Sequence, residues 1–300
     1  MAEQELRSGL GRAKLDYIVT TIDDPGHVRE LLRPRVEYTA YALGQLEPGL
    51  VEKAHWYSAR GDSGTGITVH SHGGLGNATL VAGDPGAVAA ILSLYPGASQ
   101  TYVTFQPQHD EAMRSVYWLS NHIPMIRMAV SRENFVAAAG ATVGLTGSDI
   151  RRINGLYSSG GGPSYYSPEH IDSGVYQGVS VEGRLVAIAG THVVSRSEGV
   201  AVVGNVLTHP AHRNRGYGRL ATSAVTERLL RLCPDIVLTV DPHNKPAIRA
   251  YERLGYREAC QLIESTARRR DLTGIQSMLR RAVASIRGRK YGGSFVSRSL

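Results

Sequence analysis

Short apolar segments, punctuated by glycine, proline and aspartate, dominate the first half of the chain. Leu15 to Thr21 reads as a strand, and Asp23-Asp24-Pro25-Gly26 opens a helix with Val28, Leu31 and Leu32 on its apolar face. Tyr38 to Leu46, Ala54 to Ala59, Gly66 to His70 and Ala78 to Ala82 are β-like. Gly83-Asp84-Pro85 starts a small apolar helix over Ala87 to Leu94. A strand over Gln100 to Phe105, a helix from His109-Asp110-Glu111 and a strand over Pro124 to Val130 complete a first α/β unit. The run from Phe135 to Gly144 is rich in small residues and uncharged, which puts a boundary near residue 138. Beyond it, Thr146 to Asp149 caps a helix carrying Ile150, Ile153 and Leu156, and a Ser/Gly/Pro/Tyr loop runs from Ser158 to Pro168. Gly174 to Val181, Leu185 to Val194 and Gly199 to Leu207 then form a three-strand meander, its first turn at Glu182-Gly183. The expected architecture is α/β with a mixed sheet: residues 1–138, residues 139–265, and a C-terminal helix and tail, 266–300, in which Leu272, Ile275, Leu279, Val283 and Ile286 share one face.

Composition narrows the class. With 300 residues, 42% of them hydrophobic and 20% charged, the chain can bury about two ordinary cores, so whole-chain disorder is excluded. The two cysteines, Cys233 and Cys260, have no metal-knuckle spacing, and the first residues lack the apolar core of a signal peptide. No apolar run reaches membrane-spanning length, so a soluble, cytoplasmic protein is expected. The net charge of +7 is unevenly placed: residues 1–140 hold 11 Lys/Arg against 14 Asp/Glu, residues 141–264 hold 13 against 11, and residues 265–300 hold 9 against 1. The excess belongs to a tail expected to be flexible and solvated, which argues against a nucleic-acid-binding body.

Chemistry concentrates where the meander ends. After Val202 to Leu207 and the turn His209-Pro210 comes Arg213-Asn214-Arg215-Gly216-Tyr217-Gly218-Arg219, then a helix. Glycines at a strand-to-helix junction free backbone N–H groups and a helix N-terminus to converge on an anion, which marks a phosphate site. A second segment follows, Asn244-x-x-Ala247-x-x-x-Tyr251-x-x-x-Gly255-Tyr256, and two linked motifs specify far more than one. In the first half, His70 and His72 share a strand face but lack a third ligand at a recognisable spacing, so packed or solvated histidines are the reading there, and no metal is expected. Gly73 to Asn77 has no helix after it and reads as a hairpin turn, while Trp56 and Trp118 read as core or interface anchors.

Arg213-x-x-Gly216-x-Gly218, with the meander before it and the Asn/Ala/Tyr/Gly segment after it, resembles the signature of the GNAT N-acetyltransferase superfamily across residues 140 to 265. Gly190-Thr-His-Val and Gly204-Asn-Val-Leu-Thr further resemble the glycine N-acyltransferase subgroup. The resemblance implies acetyl-CoA as co-substrate, its pyrophosphate held by the backbone of Asn214 to Arg219 with Arg213, Arg215 and Arg219. It also implies that Val206, Leu207 and Thr208 pair with the pantetheine arm, that Asn244 contacts it, and that Tyr251 protonates the departing thiolate. Many relatives carry an acidic base on the last strand of the meander, where this chain has only Asn205 and Thr208 as polar side chains. His192 and Glu198 are the nearest alternatives in sequence. The implied activity is acetyl transfer to a primary amine of a small molecule or peptide. Two rivals stand beside it: another acyl-CoA with an amino-acid acceptor, and a catalytically silent acyl-CoA sensor. The strand and helix content of residues 1–138 fits a degenerate second copy of the fold without a phosphate loop, which would make the chain an internal pseudo-dimer, as a monomer or within a homodimer.

Overall fold

The structure, a computed structural model, describes residues 16–73, 76–160, 166–288 and 295–298. Gly74 and Leu75 of the glycine turn, residues 161–165 of the long loop, and residues 289–294 and 299–300 of the tail lie outside the described residues. β1 (Asp16–Ile22) leads into α1 (Pro25–Leu32) and α2 (Val36–Leu43). β2 (Ala54–Gly61), β3 (Gly64–Gly73), β4 (Gly76–Gly83), α3 (Pro85–Leu94), β5 (Gln100–Phe105), α4 (Asp110–Val116) and β6 (Tyr117–Val130) follow. The same order then recurs as β7 (Val143–Leu145), α5 (Ile150–Ser159), α6 (Pro168–Asp172), β8 (Tyr176–Val181), β9 (Arg184–Ser195), β10 (Val200–Thr208), α7 (Tyr217–Leu229), β11 (Asp235–Val240), α8 (Lys245–Glu252) and β12 (Arg257–Arg269). α9 (Ile275–Gly288) and β13 (Phe295–Arg298) close the chain, β13 pairing with β1.

Local sequence explains the helix starts. Asp24 and Asp84 accept N–H bonds from the first turns of α1 and α3, each with proline at the first helical position, and Asn244 accepts from Ala247 N–H at 3.2 Å.

The strands form one sheet in the order β13-β1-β2-β3-β4-β5-β12-β6-β11-β10-β9-β8-β7. Matching β1–β6 to β7–β12, this order reads the same from either end once β13 is set aside. Each half has one parallel pair, β4 with β5 and β10 with β11, bridged by α3 and by α7 respectively. The last strands are exchanged: β12 of the second half pairs with β5 of the first, β6 pairs with β11, and β6 and β12 pair with each other at the centre.

One apolar core spans both halves, with Val28, Leu32, Tyr38 and Leu43 of α1 and α2 lying against Trp56, Ile67 and Leu80 on one side and Val193, Val202 and Val237 on the other. Arg29 grips the buried Glu198 carboxylate with two 2.7 Å bonds, and Ser195 and Ser197 hydroxyls donate to Glu47 at 2.6 and 2.8 Å. Burial raises the Glu47 pKa, but these hydrogen bonds outweigh it and leave the group below its ordinary value.

Three expectations are corrected. Tyr38 to Leu46 is not a strand; its first part is α2, because a short apolar run fully buried between packed layers has no periodicity to tell helix from strand. Trp118 is no core anchor: it lies exposed on β6 beneath the Arg268 guanidinium, 4.7 Å from the ring centre, whereas Trp56 is buried. The strand expected over Pro124 to Val130 begins at Tyr117.

Candidate active site

β10 pairs with β11 only from Val200↔Asp235 to Val203↔Leu238, although both strands continue. Beyond Val203 the two splay apart. There the register between β10 and β9 also slips: Gly204 faces Gly190 but Leu207 faces Ile188, and Asn205 adopts a left-handed conformation with φ +54°. Such a bulge re-aims backbone groups at the mouth of the splay. Leu207 and Thr208 resume pairing with β9 through Ile188 and Ala187, leaving the other edge of Val206 to Thr208 toward the gap.

The chain then turns into α7. Asn214 (φ +64°) and Gly216 (φ +81°) are left-handed, and Gly216 is the N-cap with no side chain bonded over the first turn and no acidic residue within it. The α7 N–H groups are therefore open, in the kind of backbone nest that binds anions. At Gly216 glycine answers a backbone requirement, since an added Cβ would meet no protein atom. Among the described residues Arg213, Arg215 and Arg219 form no ion pair, so their charge is free for a ligand.

Asn244 caps α8, its side-chain oxygen accepting from Ala247 N–H. Tyr251 on that helix is 7% exposed and packs with Leu254 and Tyr256. Its hydroxyl has no hydrogen-bond partner among the described residues, yet it is not among the buried unsatisfied groups, so the oxygen reaches accessible space. Burial pushes its pKa up to about 12, so the phenol keeps its proton at neutral pH.

On the sheet face opposite α7, His192 is the extra residue in a second slip, between Val202↔Val193 and Val203↔Thr191. Its ring lies over Gly204, where an added Cβ would come within 2.1 Å of it. The ring is open to solvent along this cleft, but surrounding protein, with repulsion from His170 and Arg127, lowers its pKa and keeps it neutral. Glu198, the other alternative, is bound to Arg29 at the opposite end of β10 and stands away from the bulge.

Sequence reasoning passed over the group that fixes the bulge. Tyr157 donates to the Asn205 carbonyl at 2.5 Å, Tyr166 donates to Asn205 Oδ1 at 2.9 Å, and Asn205 Nδ2 donates to Tyr176 at 2.8 Å. The only signal was a tyrosine-rich loop facing an asparagine on a strand. Two cavities, of about 410 Å³ beside Tyr176 and Arg228 and about 420 Å³ beside Ile248 and Tyr256, lie away from the glycine loop.

The corresponding place in the first half is filled by its own side chains. Asp84 occupies the start of α3, accepting from Ala87 N–H at 2.8 Å and from the Tyr17 and Ser63 hydroxyls at 3.1 Å. β4 and β5 pair only from Ala78 to Leu80, and the Tyr38 hydroxyl bonds Val81 O at 2.6 Å and Thr104 O at 3.4 Å in the gap beyond. His109 Nε2 lies 3.0 Å from Gly83 O. β3 and β4 pair without a bulge. An anion at this helix start would meet a carboxylate.

A splayed parallel pair, a bulged strand and an open helix start define an acyl-CoA-dependent acyltransferase fold, and the comparisons agree. Residues 149–256 match the acetyltransferase (GNAT) family model. A GNAT-family structure from Novosphingobium aromaticivorans is 21% identical, with TM-score 0.51, covering 82% of this chain and 99% of its own. One from Colwellia psychrerythraea is 10% identical (TM-score 0.52, 83% and 98% covered), and one from Sphaerobacter thermophilus is 13% identical (TM-score 0.51, 84% and 95% covered). At these identities the likeness is one of fold, and it spans both halves. A search of curated proteins finds no match. Residues 149–256 therefore carry a GNAT-family acetyltransferase domain, and the rest of the chain shares the fold of these structures. Among the described residues no helix is long and apolar enough to cross a membrane, and no group of three or more His, Cys, Asp or Glu is placed to hold a metal.

Proposed function

We propose that the protein is an N-acetyltransferase, acting in the cytoplasm on a primary amine with acetyl-CoA as acyl donor. In this reading residues 139–265 form the catalytic domain, residues 1–138 a degenerate copy that walls the acceptor cleft, and residues 266–300 an accessory helix and tail. The observation that carries the reading is the continuity of the β10–β11 splay, the Asn205 bulge and the uncapped α7 start along one stretch of chain.

Bound acetyl-CoA would supply an activated acetyl thioester. The backbone N–H groups of Asn214 to Arg219, in the loop and first turn of α7, hold its pyrophosphate, with Arg213, Arg215 and Arg219 adding charge. The free edge of Val206, Leu207 and Thr208 aligns the pantetheine arm, and a backbone N–H there polarises the thioester carbonyl, a contribution on the order of 3 kcal/mol. His192, neutral and beside the bulge, accepts the proton that the amine loses as its nitrogen bonds the acetyl carbon and the carbon–sulfur bond breaks. Tyr251 donates a hydrogen bond to the departing sulfur, which leaves as the thiolate and becomes the thiol by taking up the proton that His192 received from the amine.

Thiol release from acetyl-CoA across a panel of amines tests the reading. Release with some amine, reduced about 10²-fold in His192→Gln, is the expected result. Binding of acetyl-CoA without release for any amine would replace the enzyme with a silent sensor, and faster release from longer acyl donors would move the donor assignment.

A further inference from the structure

Arg127 lies near the C-terminal end of β6, the strand that the first half contributes to the second. It is 3% exposed, and its Nε is buried without a partner. Among the described residues it forms neither a hydrogen bond nor an ion pair, and its terminal nitrogens, not being among the buried unsatisfied atoms, reach accessible space. A guanidinium carries five donors, so leaving it buried and bare is costly unless a ligand completes it.

Its position says what kind of ligand. Arg127 stands opposite Thr239 on β11 and Cys260 on β12. Thr239 is one residue past the last β10–β11 pair, where the splay begins, and Gly204, which lies under the His192 ring, is the corresponding residue of β10. Arg127 alternates with Ile126 and Met128, which pack toward α7, so like His192 it lies on the face away from α7, and its charge adds to burial and His170 in lowering the His192 pKa. The donor's phosphates are already accounted for at the α7 start. The carboxylate of Glu264 attracts Arg127 but stays beyond ion-pairing distance and accepts the Tyr102 hydroxyl at 2.6 Å. A single guanidinium with a carboxylate in its neighbourhood suits a monoanion better than a dianionic phosphate.

We propose that Arg127 binds the carboxylate of the acceptor, so that the substrate is an amine carrying a carboxylate group and the first half of the chain supplies its specificity. This rests on the transfer reading for the word acceptor, but the anion site itself does not.

The test compares amino acids with their amides as acceptors, each rate taken per mole of free amine, in the full chain and in Arg127→Gln and Arg127→Lys. Wild type is expected to favour the acids by at least about tenfold in kcat/KM, as a charged hydrogen bond warrants. Arg127→Gln should erase the preference by raising KM for acids alone, and Arg127→Lys should restore part of it. Because the substitution removes an uncompensated buried charge, Arg127→Gln should melt no lower than wild type and should bind acetyl-CoA unchanged. A preference that survives in Arg127→Gln, or a wild type that favours the amides, overturns the proposal. If no amine is acetylated, NMR saturation transfer from protein to N-acetylglycine and N-acetylglycinamide decides. Binding of the acid alone, lost in Arg127→Gln, supports the anion site while rejecting transfer; equal binding of both compounds, or of both variants, overturns the site.

Discussion

Replacing Tyr251 by Phe separates a chemical role from a structural one. The ring is buried among Leu254 and Tyr256, and Phe keeps that packing. The hydroxyl has no partner among the described residues, so its loss should change stability at neutral pH by no more than about 0.5 kcal/mol. Catalysis should change more. With the phenol near 12 and an ordinary thiol near 8.5, full transfer of the phenolic proton to a thiolate is uphill by roughly 3.5 units, or about 5 kcal/mol. In the proposed reaction Tyr251 would therefore act through a hydrogen bond to the developing thiolate, with a proton originating from the amine available to complete the thiol. A bond to a charged partner contributes about 1.5–3 kcal/mol, which predicts a fall in kcat of about 10- to 150-fold with KM for acetyl-CoA unchanged. Because its folded pKa lies above the ordinary tyrosine value of 10.0, the stability Tyr251 contributes by staying neutral is complete below pH 10 and is lost as pH rises toward 12; Phe should remove that part of the alkaline slope. Single-turnover thiol release and thermal melts on the same preparations measure both effects. A kcat within twofold of wild type, or a clear loss of thermal stability at neutral pH, refutes the reasoning.

Two further outcomes test the scaffold. Arg29→Ala leaves the buried Glu198 carboxylate without its bidentate partner and should cost about 3 kcal/mol in denaturant unfolding, most of it recovered when Glu198→Gln is added. His70 is held neutral by burial, with its pKa lowered to about 4 from 6.5, so its contribution is complete above pH 6.5 and is lost as pH falls toward 4. His70→Asn should accordingly flatten the slope of stability against pH between those values by about 3 kcal/mol, whatever its effect at neutral pH, and an unchanged slope would assign the acid sensitivity elsewhere.

What could be read from the sequence was what local rules control. The caps at Asp24, Asp84 and Asn244 and the glycine loop before α7 depend on neighbours a few residues away, and the structure has these features. The exchange of β6 and β12 depends on partners more than one hundred residues apart, and no pattern of alternation encodes which of two similar strands pairs with which neighbour. Tyr38 illustrates the same limit: in a buried apolar run it resembled a strand residue, yet it sits on α2 with its hydroxyl in the gap between β4 and β5. The proposed coenzyme side was legible because it is one contiguous stretch. The proposed acceptor side was not, because Arg127, His192, Asn205 and Tyr166 come from separate parts of the chain whose relative placement is set only when the sheet forms.

The repeated architecture makes the central claim countable. One half has an open helix start at a bulged splay, and the other has Asp84 at the helix start and Tyr38 in the gap. Isothermal titration of acetyl-CoA into the full chain measures the number of sites directly. One site per chain is predicted, abolished by Gly218→Val, whose added Cβ would come within 2.9 Å of Thr208 Oγ1 at the phosphate loop. Two sites, none, or a single site indifferent to Gly218→Val would contradict the account.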